Sequence, residues 1–376
     1  MTNENRGCFL GSAGAGCFVN HFDSLLPPES EGWYTYILKG GPGTGKSTLM
    51  KQLARSMKKH DIPCERVFCA SDPDSLDAVV FPCLTAAVVD GTAPHEMEPA
   101  YPGVDGEIVN LGLWQSDVLQ ANGEKIRALT DKNRDLHRKS RGYLEVCFSL
   151  YRRAAALERQ CLNTEKIKRY AARLGARYFD APAAERGKTH VRLMEAVTPK
   201  GFLFAADYAA ALCPKAVILH DEFGSAAAEL TEALAEAALQ CGWNVTQSPS
   251  LFGEGIRHLI VPELGFGCFT SDRLCTADIP NARHIHAARF TDAAKHSRCR
   301  EKLKFLGKSA WEMLEEACLT LQEAGEVHNE LEALYAAAMD FDAVGQITEE
   351  LFQKLWARSW REDGEISEDS PSPNAP

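Results

Sequence analysis

The stretch Gly40-Gly41-Pro42-Gly43-Thr44-Gly45-Lys46-Ser47-Thr48 decides how the chain is read. It fits G-x-x-x-x-G-K-[ST] at every fixed position, the pattern of a loop whose backbone amides cradle phosphate. Its flanks agree. Tyr34-Thr35-Tyr36-Ile37-Leu38 before it is an apolar, β-branched run of strand length. Leu49, Met50, Leu53 and Met57 after it are apolar at helical spacing. A strand, a glycine loop and a helix start are the parts a phosphate site needs, because glycines let N–H groups converge and the helix dipole favours an anion there. The pattern assigns Gly41, Pro42, Gly43, Thr44, Gly45, Lys46, Ser47 and Thr48 to nucleotide binding. Lys46 is expected on the outer phosphates and the Ser47 hydroxyl on Mg²⁺.

Such a loop needs an acid at the end of a neighbouring buried strand to hold the metal. Leu84-Thr85-Ala86-Ala87-Val88-Val89-Asp90 supplies one, one helix and one strand beyond Lys46, and Gly91-Thr92-Ala93-Pro94-His95-Glu96 turns the chain away. Asp90 is therefore the expected second metal ligand and, with Lys46, the expected catalytic pair. His95, Glu96 and Asp72 are candidates for positioning an attacking water, against the plain alternative of surface turns. Glu65-Arg66-Val67-Phe68-Cys69-Ala70 reads as a strand. The acidic loop Ser71–Asp77 reads as the cap of a short helix running towards Pro82, with Asp74 and Ser75 as N-cap residues. Residues 7–20, rich in glycine, read as a flexible lead-in.

The 376 residues, 45% hydrophobic and 25% charged, suit two α/β domains. A net charge of −11 argues against general nucleic-acid binding by the whole surface. None of the 13 cysteines forms a C-x-x-C pair, and several sit in apolar runs as small buried hydrophobes. Together with a polar start, Met1-Thr2-Asn3-Glu4-Asn5-Arg6, this predicts a soluble cytoplasmic chain with no membrane span.

From Ser116 to Leu174 the pattern is helical, and Lys125–Arg177 carries fifteen Lys and Arg against five Asp and Glu. Such a run is either a solvated face or a dock for an acidic partner: a protein, nucleic acid, or another part of this chain. Residues 181–190 read as a linker. Beyond them the plan repeats. Sliding by 181 places Ile37-Leu38 on Ile218-Leu219, Gly43 on Gly224, Leu49 on Leu230 and Leu53-Ala54 on Leu234-Ala235. A one-residue gap then places Pro82 on Pro262 and Leu84 on Leu264. The chemistry is not repeated. Gly40 and Gly41 face Asp221 and Glu222; Gly45, Lys46 and Ser47 face Ala226, Ala227 and Ala228; Asp90 faces Thr270. A rival reading makes Ala216–Glu222 the metal-acid strand of one large ATPase, with Glu222 as base. His284 and His286, two apart on an expected edge strand, share a side and could bind metal, but no third ligand is evident. The helices from Asp292 to Trp360 are acid-rich and are expected to face the basic helices with complementary charge. Residues 361–376 read as a disordered acidic tail.

These residues resemble a family of largely uncharacterised bacterial ATP-binding proteins built from two consecutive P-loop domains. The likeness rests on Gly40–Thr48, Cys69–Asp77, Val88–Glu96, Thr198-Pro199-Lys200-Gly201 and Ala338-Met339-Asp340-Phe341. It implies an α/β fold of two tandem P-loop NTPase-like domains, each a mainly parallel sheet flanked by helices and followed by a helical arm: 1–180 intact, 190–360 degenerate at its loop. It also implies ATP bound at Lys46 and Ser47. The expected function is a Mg²⁺-dependent ATP-binding protein and slow ATPase with one working site. The alternatives are a small-molecule kinase and a non-catalytic, nucleotide-gated switch or scaffold.

Overall fold

A computed structural model describes residues 7–26, 32–114, 117–179, 183, 185–253 and 255–359. The tail 361–376 and residues 181, 182 and 184 of the expected linker 181–190 lie outside them. The first half runs β1 (Gly7–Cys8), β2 (Gly11–Ala13), β3 (Phe18–Asn20), β4 (Tyr34–Lys39), α1 (Lys46–Lys58), β5 (Glu65–Phe68), β6 (Leu76–Phe81), β7 (Ala86–Asp90), β8 (Gly106–Asn110), α2 (Val118–Ala121), α3 (Gly123–Arg159) and α4 (Thr164–Tyr178). The second runs β9 (Thr189–Val191), β10 (Glu195–Thr198), β11 (Gly201–Phe204), α5 (Ala206–Leu212), β12 (Lys215–His220), α6 (Ser225–Gln240), β13 (Val245–Pro249), β14 (Ile256–Val261), β15 (Phe266–Ser271), β16 (Arg283–His286), α7 (Ala293–Ala336) and α8 (Phe341–Arg358).

The strands form two six-stranded sheets, β1-β5-β6-β7-β4-β8 and β9-β13-β14-β15-β12-β16, with a hairpin of two strands (β2-β3, β10-β11) beside each. Position by position, the two sheets share one order and one sense of every pairing. Both are mixed rather than wholly parallel, since β6 and β14 run against both neighbours. The connections explain this. Pro82–Leu84 and Pro262–Leu264 are single 3-10 turns, and a parallel return would need a crossover of about a dozen residues or more.

Two local expectations are corrected. Leu76–Phe81 is a strand, not a helix. Its run of Val and Phe is buried on both faces, and Asp72 accepts from Ser75 Oγ and the Asp74 amide within its own turn instead of capping a helix. Residues 7–20 are not a lead-in, because β1 lies parallel to β5 and β2 pairs with β3. Phe9 and Leu193, just beyond the two outer strands, exchange backbone hydrogen bonds of 2.9 Å each, one from either half.

Side chains alternate across each sheet with period two. Ile37, Ala78, Val80, Ala87 and Val89 point inward onto Ala216, Ile218, Ile260 and Phe269 of the other sheet, so the sheets pack face to face. Outward, Leu38, Val79, Phe81 and Val88 meet Leu49, Met50 and Leu53 of α1, and also Val344, Leu351 and Leu355 of α8 from the far end of the chain. Conversely, Ile167, Tyr170 and Leu174 of α4 join α6 over the second sheet. Each half lends its last helix to the other.

The long arms α3 and α7 pack antiparallel through an apolar stripe that includes Leu144, Phe148, Tyr151, Leu303, Leu314 and Leu321. The expected charge complementarity is absent from this seam. Among the described residues, the ion pairs of α3 and α7 are local to each helix: Arg134–Asp131, Arg138–Asp135, Lys308–Glu312 and His328–Glu332. Asp292 and Asp340 cap α7 and α8 by accepting the amides of Ala294 and Lys295 and of Ala343. No helix of the described residues is long and apolar enough to cross a membrane.

One buried ion pair ties the halves together. Arg192, at the end of β9, donates from Nε and Nη2 to both Glu65 oxygens of β5 at 2.8 Å, and from Nη1 and Nη2 to the carbonyls of Ser24 and Leu25. Burial alone would raise the Glu65 pKa, but the charge and hydrogen bonds of Arg192 outweigh it and hold the carboxyl at about 2.

Two outcomes are expected. Leu355→Ala should destabilise the chain by ~2–5 kcal/mol in chemical denaturation, since a fully buried side chain leaves a cavity over the first sheet. Glu65→Gln should cost about 3–5 kcal/mol by leaving Arg192 buried without its anion. Because the folded pKa of Glu65 lies below its ordinary 4.5, the wild-type advantage should be present above that value and fade as pH falls from there towards about 2.

Candidate functional site

The loop after β4 has the backbone that phosphate cradling requires. Gly43 and Gly45 take left-handed φ of 69° and 91°, and Gly45 forms the N-cap of α1. The amides before α1 consequently turn towards one point. Thr44 is fully buried and its hydroxyl donates to the Gly41 carbonyl at 2.9 Å. Lys46 Nζ donates to the carbonyls of Gly40 and Gly41 at 2.8 and 2.9 Å and lies 3.6 Å from Asp90 Oδ2. Strand register places Asp90 there, opposite Leu38 on the neighbouring strand.

Asp90 is held in place. Its Oδ1 accepts from the Thr92 amide at 2.9 Å and the Thr92 hydroxyl at 2.6 Å. Ser47 Oγ accepts from the Leu76 amide at 3.0 Å, which leaves the hydroxyl a further lone pair. Of the residues assigned from the sequence, Lys46 and Asp90 meet at the start of α1, and Ser47 follows Lys46 in its first turn. Ser47 and Asp90 are two oxygen donors and not a closed cage. No group of three His, Cys, Asp or Glu side chains among the described residues could hold a metal by itself.

The proposed water-positioning residues do not converge on the loop. His95 is buried, stacked on Phe22 at 4.3 Å, with Nδ1 2.9 Å from the Asp90 carbonyl and Nε2 3.5 Å from Asp77. It therefore supports Asp90 from behind. Burial works against a charged imidazole, but the hydrogen bond and charge of Asp77, with Asp90 adding to them, raise its pKa above the ordinary value. Glu96 and Asp72 are exposed. Asp77, which in the sequence reads as the end of an acidic turn, is buried within β6 and faces His95. A charge adjoining an apolar run is the one signal for it.

Residues of the second half also reach the loop. The Tyr335 ring and the Glu332 backbone lie so close to the loop that a Cβ on Gly41 would stand 2.6 Å from Tyr335, and one on Gly43 would stand 2.4 Å from the Glu332 carbonyl oxygen. The Glu332 carboxyl is paired with His328 at 3.5 Å. That hydrogen bond does most to lower its pKa, and the Gly43 amide and the Lys46 charge pull the same way. No local signal marks these two; in the sequence they belong to an acid-rich helix.

The second loop is built otherwise. Buried residues of α1 and α6 correspond at a shift of 181 (Leu49 with Leu230, Leu53 with Leu234, Met57 with Ala238). On that shift α6 starts two residues earlier than α1, over ground the first half keeps as loop. Asp221 Oδ2 accepts from the Ala227 amide at 2.8 Å, so the chain's own carboxylate occupies the helix N-terminus. Beside it, burial and the Asp221 charge push the Glu158 pKa well up, and burial pushes Asp221 up as well. Glu222, the base of the rival reading, is exposed, and Thr270 stands opposite Leu219 where Asp90 stands opposite Leu38. A cavity of about 470 Å³ adjoins this loop, lined by Phe148, Tyr151, Arg152, Ser225 and Phe252 among others. At the end of β12, His220 stacks on both His284 and His286 of β16.

The raised pKa of His95 carries a sign. Its contribution to stability should be complete below about 6.5 and be lost as pH rises through the folded-state value. Denaturation midpoints taken across that range should fall more for wild type than for His95→Gln. Parallel curves would mean that the imidazole titrates normally.

A scan of protein-family models, a comparison with curated proteins and a comparison with solved structures each find no match to this chain.

Proposed function

We propose that the chain is a Mg²⁺-dependent ATP-binding protein and slow ATPase with one nucleotide site, in the first half. The observation that carries this is the approach of Lys46 to Asp90, 3.6 Å apart, at a loop whose Gly43 and Gly45 turn amides inward, with Ser47 next in the helix. The residues fit the ligand's chemistry: amides and Lys46 suit phosphate, and the hydroxyl of Ser47 with the carboxylate of Asp90 suits a hard cation that keeps water and phosphate ligands. When bound, Mg·ATP supplies the transferable phosphoryl group, whose charge the metal partly neutralises. Thr92 and His95 fix the side chain and main chain of Asp90, and Lys46 can leave its loop carbonyls for phosphate.

We infer further that the two halves are copies of one P-loop plan, 1–180 and 190–360. The shared strand order, the matched hairpins and the shift of 181 between α1 and α6 support this. In the second copy Asp221 takes the anion position, so one equivalent of nucleotide is expected. The switch reading has an observation of its own in the seating of α7 on the first loop. On either reading the basic helices 125–177 remain the surface for a protein or nucleic-acid partner.

Calorimetry with Mg·ATP, with phosphate release measured on the same samples, tests the reading. Wild type and Asp221→Ala should each bind one equivalent. Lys46→Ala should bind roughly 10- to 100-fold more weakly, the worth of a charged hydrogen bond. Two equivalents, or undiminished affinity in Lys46→Ala, would overturn it.

A further inference from the structure

We propose that the C-terminal turn of α7 is a gate on the first loop, with the Glu332 carboxylate standing where a nucleotide phosphate would bind. This rests on the reading of that loop as the nucleotide site. Three observations carry it. Glu332 and Tyr335 lie directly on Gly41 and Gly43, positions where any Cβ would collide with them. His328 does most to lower the carboxyl's pKa, and the Gly43 amide and the Lys46 charge pull the same way, the groups an anion at this loop would meet. The second loop fills its own N-terminal anion position with a carboxylate, Asp221. Both loops thus neutralise converging amides with an acid. In the second half the acid is part of the loop and fully buried, whereas Glu332 arrives on a helix from elsewhere and is about half exposed.

The two acids therefore differ in what can displace them. Asp221 is locked by the packing of α6 against the second sheet. Glu332 is held by His328 and by van der Waals contact of α7 with glycine backbone, and a phosphate chain with several negative charges outcompetes one carboxylate for the same donors. Glu332 is not placed as a base for an attacking water. A base stands beyond the terminal phosphate, whereas the Glu332 backbone sits against Gly43 of the cradle itself. Displacement would be felt in α8, which begins at Phe341 and packs on α1. Phe341 and Val344 already touch the site of a Cβ on Gly45, at 3.5 and 3.6 Å. Nucleotide would so be reported to the second half through α7 and to the first sheet through α8.

The test uses the full chain and Mg·ATP, with wild type, Glu332→Ala, Glu332→Gln, Tyr335→Ala and Lys46→Ala compared by calorimetry. Hydrogen exchange over residues 328–340 and phosphate release are measured alongside. Glu332→Ala and Glu332→Gln should bind about 5- to 20-fold more tightly than wild type, as expected when a competing hydrogen-bonded charge is removed. Tyr335→Ala should tighten binding in the same direction. In wild type, ATP should speed exchange at 328–336. Unchanged affinity in both Glu332 variants, with Lys46→Ala still defective, would overturn the gate and leave the nucleotide site standing. So would unchanged affinity with lost turnover, which would make Glu332 a base. Absence of ATP binding in every variant would overturn the nucleotide reading and the gate with it.

Discussion

Neither sheet can cover its own outer face, and the remainder of the structure depends on that. The loop-bearing helix α1 covers part of the first sheet, and Leu38, Val79, Phe81 and Val88 need Val344, Leu351 and Leu355 of α8 to finish the layer. The second sheet borrows α4 in the same way. To deliver these helices the chain runs the long arms α3 and α7 across one another, and their apolar stripe fixes the crossing. Apolar burial is worth roughly 25 cal/mol per Å², so an exposed sheet face of this composition would cost several kcal/mol. Losing either half would therefore expose the core of the other. The second half thus has a structural role in the shared core whatever its loop binds.

The exchange also puts each arm's end on the other half's loop. Tyr335 of α7 reaches Gly41, and Tyr151 of α3 approaches Gly224. The charge of each loop decides which residues meet it. The first, with Lys46 and free amides, is met by Glu332. The second, already carrying Asp221 and Glu222, is met by the apolar Phe148 and by Tyr151, whose hydroxyl donates to Asp272 at 2.7 Å. Arg257, between Glu195 at 2.6 Å and Asp272 at 2.8 Å, keeps that network paired. Two carboxylates facing one another, as at Glu158 and Asp221, are tolerable only with a proton between them.

The parts legible in the sequence are those decided by neighbours along the chain. β4, the glycine loop and α1 follow from period and from Gly43 and Gly45, and the position of Asp90 follows from a strand of fixed length. β16 is visible as an edge strand and α7 and α8 as helices. The failures share a cause. β1 is two residues long and contains a glycine, so only its pairing to β5 makes it a strand. β6 carries Asp77, whose charge resembles capping chemistry until His95 and the Asp90 strand close over it. The expected attraction between basic and acidic arms fails because helices bury one face only. The charges lie on the solvated faces, where the ion pairs that form join residues three or four apart on one helix.

Glu332 lies furthest from anything a local pattern records. It is one of many acids on α7, and what distinguishes it is that its turn ends over Gly43, which in turn depends on where α8 must dock. The pair Gly41–Tyr335 shows the dependence most plainly: a glycine of the loop is the seat of a ring from the opposite half. On the proposed reading of that loop, phosphate and the end of α7 compete for one backbone surface. Packing that holds α7 down would then weaken the site, coupling core stability to ligand affinity without any requirement that the second loop bind a nucleotide.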